Sequence, residues 1–252
     1  MRYAFAGDRL ISCQILEFII SKGYKPLSLL VSNKDVNTHA ESLINISGLA
    51  NEFVYWGNEF NQEDAIIKLK NLNLDYIIGI HFPQIIPKKV LKIPSIGFIN
   101  LHPAYLPFNK GWHTPSWAIL DKTKYGATLH FMDEKLDEGD IIHQKELLFE
   151  SKDTANTLYS KVLKLEKEVF YEAFDDLISL SPQRIKQSGR GTSHIKKNIE
   201  NVRKIDLETI EISSVLIDKL KALTTNNWNE SAFFLENGKK IGIQIILKEL
   251  DE

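Results

Sequence analysis

The sequence predicts an α/β fold: a doubly wound, mostly parallel (Rossmann-like) sheet with a small C-terminal α+β module that ends in a β-hairpin. Three observations carry this expectation. Short β-branched runs such as "PLSLLVS", "DYIIGI" and "SIGFIN" alternate with segments of helical period, the pattern of buried parallel strands joined by crossover helices. Two later runs, "YGATLHFM" and "GDIIHQKELLF", are joined by the turn-rich "DEKLDEGD". From about Ser181 the composition becomes polar and glycine-containing, and a hairpin signal follows in "SAFFLENGKKIGIQIIL".

Taken in order, "RYAFAG" reads as the first strand and Gly7 as a tight strand-to-helix turn. A dinucleotide fingerprint needs three glycines at fixed spacing where this turn has one, so a nicotinamide site is discounted. Ile11 to Ile20 reads as a helix, and a polar segment separates "PLSLLVS" from the strands "DYIIGI" and "SIGFIN", the latter ending at Asn100. After a proline-rich loop, "TPSWAIL" reads as a helix with Pro115 in its first turn, where the missing N–H costs nothing. Residues 154–179 place Leu158, Val162, Leu165, Val169, Ala173 and Leu177 on one helical stripe that covers the sheet. Ile212 to Leu223 looks helical, and Asn237-Gly238 suits the positive φ angles of a two-residue turn. The expected division is a main domain over 1–185 and a module over 186–252. A module of this size cannot bury Phe233, Phe234, Ile243 and Ile245 well by itself, so it is expected to dock on the main domain or to form a homodimer.

The bulk numbers exclude several classes. With 31 Lys and Arg against 33 Asp and Glu, the formal net charge is −2, and no basic stripe stands ready to neutralise phosphates, so nucleic acid is not an expected partner. No run approaches the roughly 18 apolar residues of a membrane span. Cys13 is the only cysteine and the N-terminus lacks a signal-peptide pattern, which together suggest a cytoplasmic protein.

Ligands of open parallel sheets bind beyond the carboxyl ends of the strands. Asn100 and His102 stand at such an end and, two apart in extended chain, point to the same side; the plain alternative is a turn asparagine and a surface histidine. Asp137 in "LDEGD" is either a functional carboxylate or a turn residue capping backbone N–H groups, and His130 reads as a satisfied, half-buried strand histidine. A metal site through His102, His113, His130, Asp137 and Asp140 is not expected, because no H-x-x-x-H or H-x-x-E-H spacing puts two ligands on one element. There is no G-x-S-x-G elbow, and Cys13 has no histidine nearby in sequence.

The blocks "INLHPAYLP" and "YGATLHFMDEKLDEGDII", with the spacing between them, resemble the 10-formyltetrahydrofolate-dependent formyltransferase family. "NKGWHTPSWAILD", "GTSH" and "LTTNNW" are similar to its small members that formylate nucleotide-linked amino sugars for bacterial surface polysaccharide (O-antigen). The resemblance implies a catalytic Asn100, His102 and Asp137, with 10-formyltetrahydrofolate as donor and a dideoxy amino sugar, on thymidine diphosphate, as acceptor. It places the pterin against Phe82, Gln84, Ile85 and Ile86 and against Asp133, Lys135 and Asp137; by themselves Ile85 and Ile86 read first as core residues. Trp112, His113 and Trp117 are the candidates for the hexose, and Arg190, His194 and Lys196 for the pyrophosphate. Trp117 reads equally as an anchor of its own helix and Lys196 as part of a solvated basic pair. Trp228 is a base-stacking or a module-docking residue. Transfer to methionyl-tRNA and hydrolysis of the folate are the alternatives within the same family.

Overall fold

Strands form where the chain runs apolar on both faces, and helices cover those faces. The computed structural model describes residues 1–35 and 39–250. In chain order the main elements are β1 (Tyr3–Gly7), α1 (Leu10–Ser21), β2 (Ser28–Val31), α2 (Ala40–Ser47), β3 (Val54–Trp56), α3 (Glu63–Asn71), β4 (Tyr76–Ile80), α4 (Lys88–Leu91), β5 (Gly97–His102), β6 (Lys110–Gly111) and α5 (Thr114–Leu120). They continue with β7 (Tyr125–Phe131), β8 (Ile141–Leu147), α6 (Ala155–Ile178), β9 (Ser193–His194), α7 (Glu200–Arg203), α8 (Ser213–Ala222), β10 (Ala232–Glu236) and β11 (Lys239–Ile243).

The seven-stranded sheet has the order β3-β2-β1-β4-β5-β7-β8. Its first five strands are parallel, and β7 joins β5 antiparallel. Every residue of β1, β2 and β4 is buried, as a sheet covered on both faces requires. On one face Ala4, Ala6, Leu30, Ile77 and Phe98 pack with Phe60, Ile66, Leu69 and Val90. Each large side chain buried there contributes about 1.5–3 kcal/mol. Elsewhere Phe18 of α1 lies against Phe170, Tyr171 and Phe174 of α6.

Gly7 is required by space: a Cβ there would stand 2.8 Å from both Phe5 and Ser12. The expected end of β5 at Asn100 moves two residues on, to His102, because β7 pairs with it through Asn100↔His130 and His102↔Thr128. β3, α2 and α3 fall in the stretch that reads only as polar in sequence.

The chain divides into two compact units that interleave along the sequence. Unit 1 comprises 1–102, 128–144 and 166–187, and unit 2 comprises 103–127, 145–165 and 188–252, so the observed division differs from the sequential 1–185 and 186–252. Within unit 2, α5 and α8 share a core of Trp117, Ile199, Ile205, Leu223 and Ala232. Lys110 and Gly111 pair with Ser193 and His194 in the short β6–β9 ladder. The C-terminal hairpin turns on Asn237 (φ 50°) and Gly238 (φ 76°), as its sequence signal foretells.

Candidate active site

β5 ends with Asn100 and His102, two residues apart, and its antiparallel partner β7 sets His130 directly opposite Asn100. The turn after β7 brings in Asp137. Its Oδ2 lies 3.6 Å from His102 Nε2 and its Oδ1 3.7 Å from His130 Nε2. These are ion-pair distances longer than a hydrogen bond, of the kind that tighten when substrate closes the site. The side chains of His102 and Asp137 are each 8% exposed.

The turn is built to aim this carboxylate. Asp137 has φ 52°, a left-handed conformation that Asp tolerates better than most residues. The Gln187 amide donates to Asp137 O (2.8 Å) and Gly139 O (2.9 Å). Gly139 follows because a Cβ there would lie 1.8 Å from Phe131 O.

His130 is wholly buried, which corrects the half-buried reading. Its Nδ1–H donates to Phe131 O at 2.8 Å. Burial pushes its pKa down to about 4, against the opposing pull of Asp137. The ring is therefore neutral near pH 7, and Nε2 presents a lone pair that accepts from Asn100 Nδ2 at 3.4 Å. One amide hydrogen of Asn100 is engaged, which orients the other.

The two segments assigned to a pterin also belong to unit 1. Phe82 and Ile86 pack on the core, with the Phe82 ring centroid 5.8 Å from that of Phe60. Ile85 is 91% exposed, so the core reading holds for Ile86 and fails for Ile85: the bend into α4 turns the two isoleucines to opposite environments. Gln84 is half-buried, and Asp133 and Lys135 are exposed. Asp133 Oδ1 accepts from Lys135 N at 2.9 Å. Lys88 and Glu134 pair at 2.5 Å between the two segments.

The acceptor candidates lie in unit 2 and divide differently. Trp117 is 7% exposed in the core of that unit, and its indole stacks on His194 at 3.7 Å and 3°. His194 Nε2 meets Asp121 Oδ2 at 2.7 Å. Trp117 thus sits as a core anchor of its own helix, one of its two sequence readings, with His194 as its stacking partner. Trp112 is 48% exposed and carries Lys196 Nζ 5.1 Å from its ring centroid. His113, with φ 56°, stands 3.6 Å from Glu230. Arg190 is exposed. Trp228 is 64% exposed, and its ring covers Gly242, whose added Cβ would lie 3.6 Å away. A separate cavity of about 310 Å³ in unit 2, lined by residues that include Lys122, Asp218 and Lys221, touches none of these candidates.

Sequence reasoning missed three groups in unit 1: His130's hold on Asn100, Gln187's hold on the acidic turn, and the pair of His81 with Glu166. His81 Nε2 lies 2.9 and 3.0 Å from the two carboxylate oxygens of fully buried Glu166. Burial alone would lower the His81 pKa, and the charge and hydrogen bond of Glu166 raise it. Among the described residues, no three His, Cys, Asp or Glu side chains gather in the manner that holds a metal ion.

A doubly wound sheet with an amide and an imidazole at one strand end and a carboxylate on the neighbouring turn has the makings of a proton-transfer site. A family model described as "Formyl transferase" matches residues 24–174, more than half of the chain, and the chain belongs to that family of enzymes, which transfer formyl groups. A second model, the N-formyltransferase dimerization C-terminal domain, matches residues 198–249. The dTDP-4-amino-4,6-dideoxyglucose formyltransferase of Mycobacterium tuberculosis is 29% identical over 69% of this chain and 74% of its own length. The methionyl-tRNA formyltransferase of Ehrlichia canis is 35% identical over 70% of this chain and 55% of its own. A sugar N-formyltransferase from Shewanella superposes with a TM-score of 0.83 at 21% identity, over 100% of this chain and 99% of that one. An N-formyltransferase of Helicobacter canadensis, in complex with folinic acid and dTDP-3-aminofucose, gives 0.74 at 21% identity, over 96% and 86%. At these identities the structures establish the fold.

Proposed function

We propose that this formyltransferase moves the formyl group of 10-formyltetrahydrofolate onto the amine of a nucleotide-linked dideoxy amino sugar, carried on thymidine diphosphate. The observation that carries the chemistry is the placement of Asp137 beside His102, with the Asn100 amide oriented by a neutral His130. The amine nitrogen attacks the formyl carbon, and its proton passes to His102 as general base. The oxygen of the tetrahedral intermediate accepts the remaining N–H of Asn100, a contribution of about 3 kcal/mol for a well-placed donor. The carbon–N10 bond then breaks, the amine keeps the formyl group, and N10 of tetrahydrofolate takes the proton. Because burial withholds a proton from His130, the Asp137 carboxylate serves the cation formed at His102.

The folate reading is supported by exposed Ile85 and Leu136, one on each pterin segment, which offer apolar walls to an aromatic ring, and by the folinic acid in the Helicobacter complex. The sugar reading is supported by the name of the mycobacterial relative and by the second family model, which covers the C-terminal module. Methionyl-tRNA is disfavoured because the chain carries a net charge of −2, with no basic excess to meet a tRNA backbone. Trp112, His113, Trp117, Arg190, His194, Lys196 and Trp228 are the proposed sugar-nucleotide contacts. We assign the product to surface polysaccharide (O-antigen) synthesis, the enzyme to a homodimer formed through residues 198–249, and its place to the cytoplasm, where the thiol of Cys13 stays reduced. No helix among the described residues is long and apolar enough to cross a membrane.

The test is incubation with 10-formyltetrahydrofolate and a panel of thymidine- and uridine-linked amino sugars. Tetrahydrofolate should appear with one or two of them. Silence across the panel with folded protein ends the sugar reading, and tetrahydrofolate released without any amine marks a hydrolase.

A further inference from the structure

Gly7 of β1 is the register partner of both Val31 on β2 and Ile80 on β4. The residues that follow these three, Asp8, Ser32 and His81, therefore leave the carboxyl edge of the sheet side by side. Ser12 locks two of the strand ends together, its Oγ accepting from Asp8 N at 3.1 Å and donating to Ile80 O at 2.7 Å. Asp8 is 3% exposed and Ser32 1%. Asp8 Oδ1 and Ser32 Oγ nevertheless have no hydrogen-bond partner among the described residues. Two adjacent orphans of this kind are costly, and such groups demand an explanation, of which a missing bonding partner is one.

The chemistry of that partner follows from what surrounds it. Asp8 Oδ1 only accepts when ionised, while the Ser32 hydroxyl can donate, so one group able to donate to the first and accept from the second completes both. Formal charge selects further. Arg9 Nε stands 3.9 Å from Asp8 Oδ2, and His81 is held by buried Glu166, so two carboxylates already face two basic groups. An added phosphate or ammonium would upset that balance, and a neutral hydroxyl would not. Arg9, whose side chain is 65% exposed, lies on the Asp8 carboxylate and can turn aside without disturbing the core. From β1 to β5 is two strand spacings, about 10 Å, a span that a hexose bridges when its amine is at His102 and the opposing side chains reach inward.

We propose that Asp8 and Ser32 form a hydroxyl-reading subsite for the acceptor sugar, in which one ring hydroxyl donates to Asp8 and accepts from Ser32. The subsite rests on the amino-sugar reading above. It makes Asp8 and Ser32 specificity residues that hold the substrate and take no part in proton transfer.

The experiment measures kcat/KM for dTDP-4-amino-4,6-dideoxyglucose and for its 2-deoxy and 3-deoxy counterparts, with the wild type, Asp8→Ala and Ser32→Ala. The wild type should prefer the full acceptor to one of the deoxy sugars by about 10- to 100-fold. Both variants should bring that ratio close to one, mainly by raising KM for the full acceptor. Variants that shift only the melting temperature, or that slow all three acceptors equally, would overturn the subsite and leave a structural pair or a bound water only. Turnover by the wild type without discrimination overturns the subsite alone. Absence of turnover with every amino sugar strikes the acceptor reading itself and the subsite with it.

Discussion

At the scale of single residues, the proposed chemistry gives the proton to His102, whereas burial keeps His130 neutral. Replacing His102 with Asn should abolish turnover while the sugar nucleotide still binds, as isothermal calorimetry would record; equal loss of both would make His102 a substrate-positioning group. Asn100→Ala should cost about 10²–10³ in kcat at unchanged fold. His130 gives a separate prediction in stability. Its folded pKa lies near 4, below the ordinary 6.5, so the unfolded chain binds the extra proton between these values. Stability therefore falls as pH drops from about 6.5 to about 4, by about 3 kcal/mol for a fully buried group. His81 has the opposite sign: its raised pKa adds stability below the unfolded value that is lost as pH rises through the folded one. Denaturant midpoints of His130→Gln against pH should show a flatter acid limb than the wild type. Asn100 and His102 were legible because a strand end is visible in sequence. The grip of His130 on Asn100 was not, since it depends on an antiparallel register that no local pattern encodes.

Among elements, the acidic turn between β7 and β8 shows how backbone shape serves chemistry. Gly139→Ala would drive a Cβ into Phe131 O and shift the turn that aims Asp137. It should destabilise the chain by about 2 kcal/mol and lower kcat more than it raises KM for either substrate. Gly238→Ala, at φ 76° with open space around it, should cost about 1 kcal/mol and leave kcat unchanged. Activity assays beside thermal melts distinguish the two, and equal kinetic effects would refute the aiming role. The long helix and the hairpin were readable because 3.6-residue periodicity and Asn-Gly are local signals. β3 was not, because "VYW" is too short to alternate and owes its strand to pairing with β2. Asp8, Ser32 and His81 were hidden for a related reason: parallel register alone brings them together.

For the whole molecule, the prediction concerns association. Ile210, Ile212, Val215, Leu235 and Ile246 of the C-terminal region are all at least 47% exposed, more apolar surface than one module leaves uncovered without a partner. Light scattering at micromolar protein should give twice 28.9 kDa, and Val215→Asp with Leu235→Asp should return the monomer mass. A monomer in the wild type would remove the homodimer. The interleaving of the two units was not legible either, because composition shifts once, near Ser181, whereas the chain changes units at four further points.

One of those crossings follows His102 directly. The chain leaves unit 1 at Pro103 and rejoins it at Thr128, the residue paired with His102 itself. The intervening 25 residues are thus a cassette whose two ends meet at a single rung of one ladder. On the proposed sugar contacts of Trp112 and His113, exchanging such a cassette between relatives should trade recognition while Asn100, His102 and Asp137 keep their places.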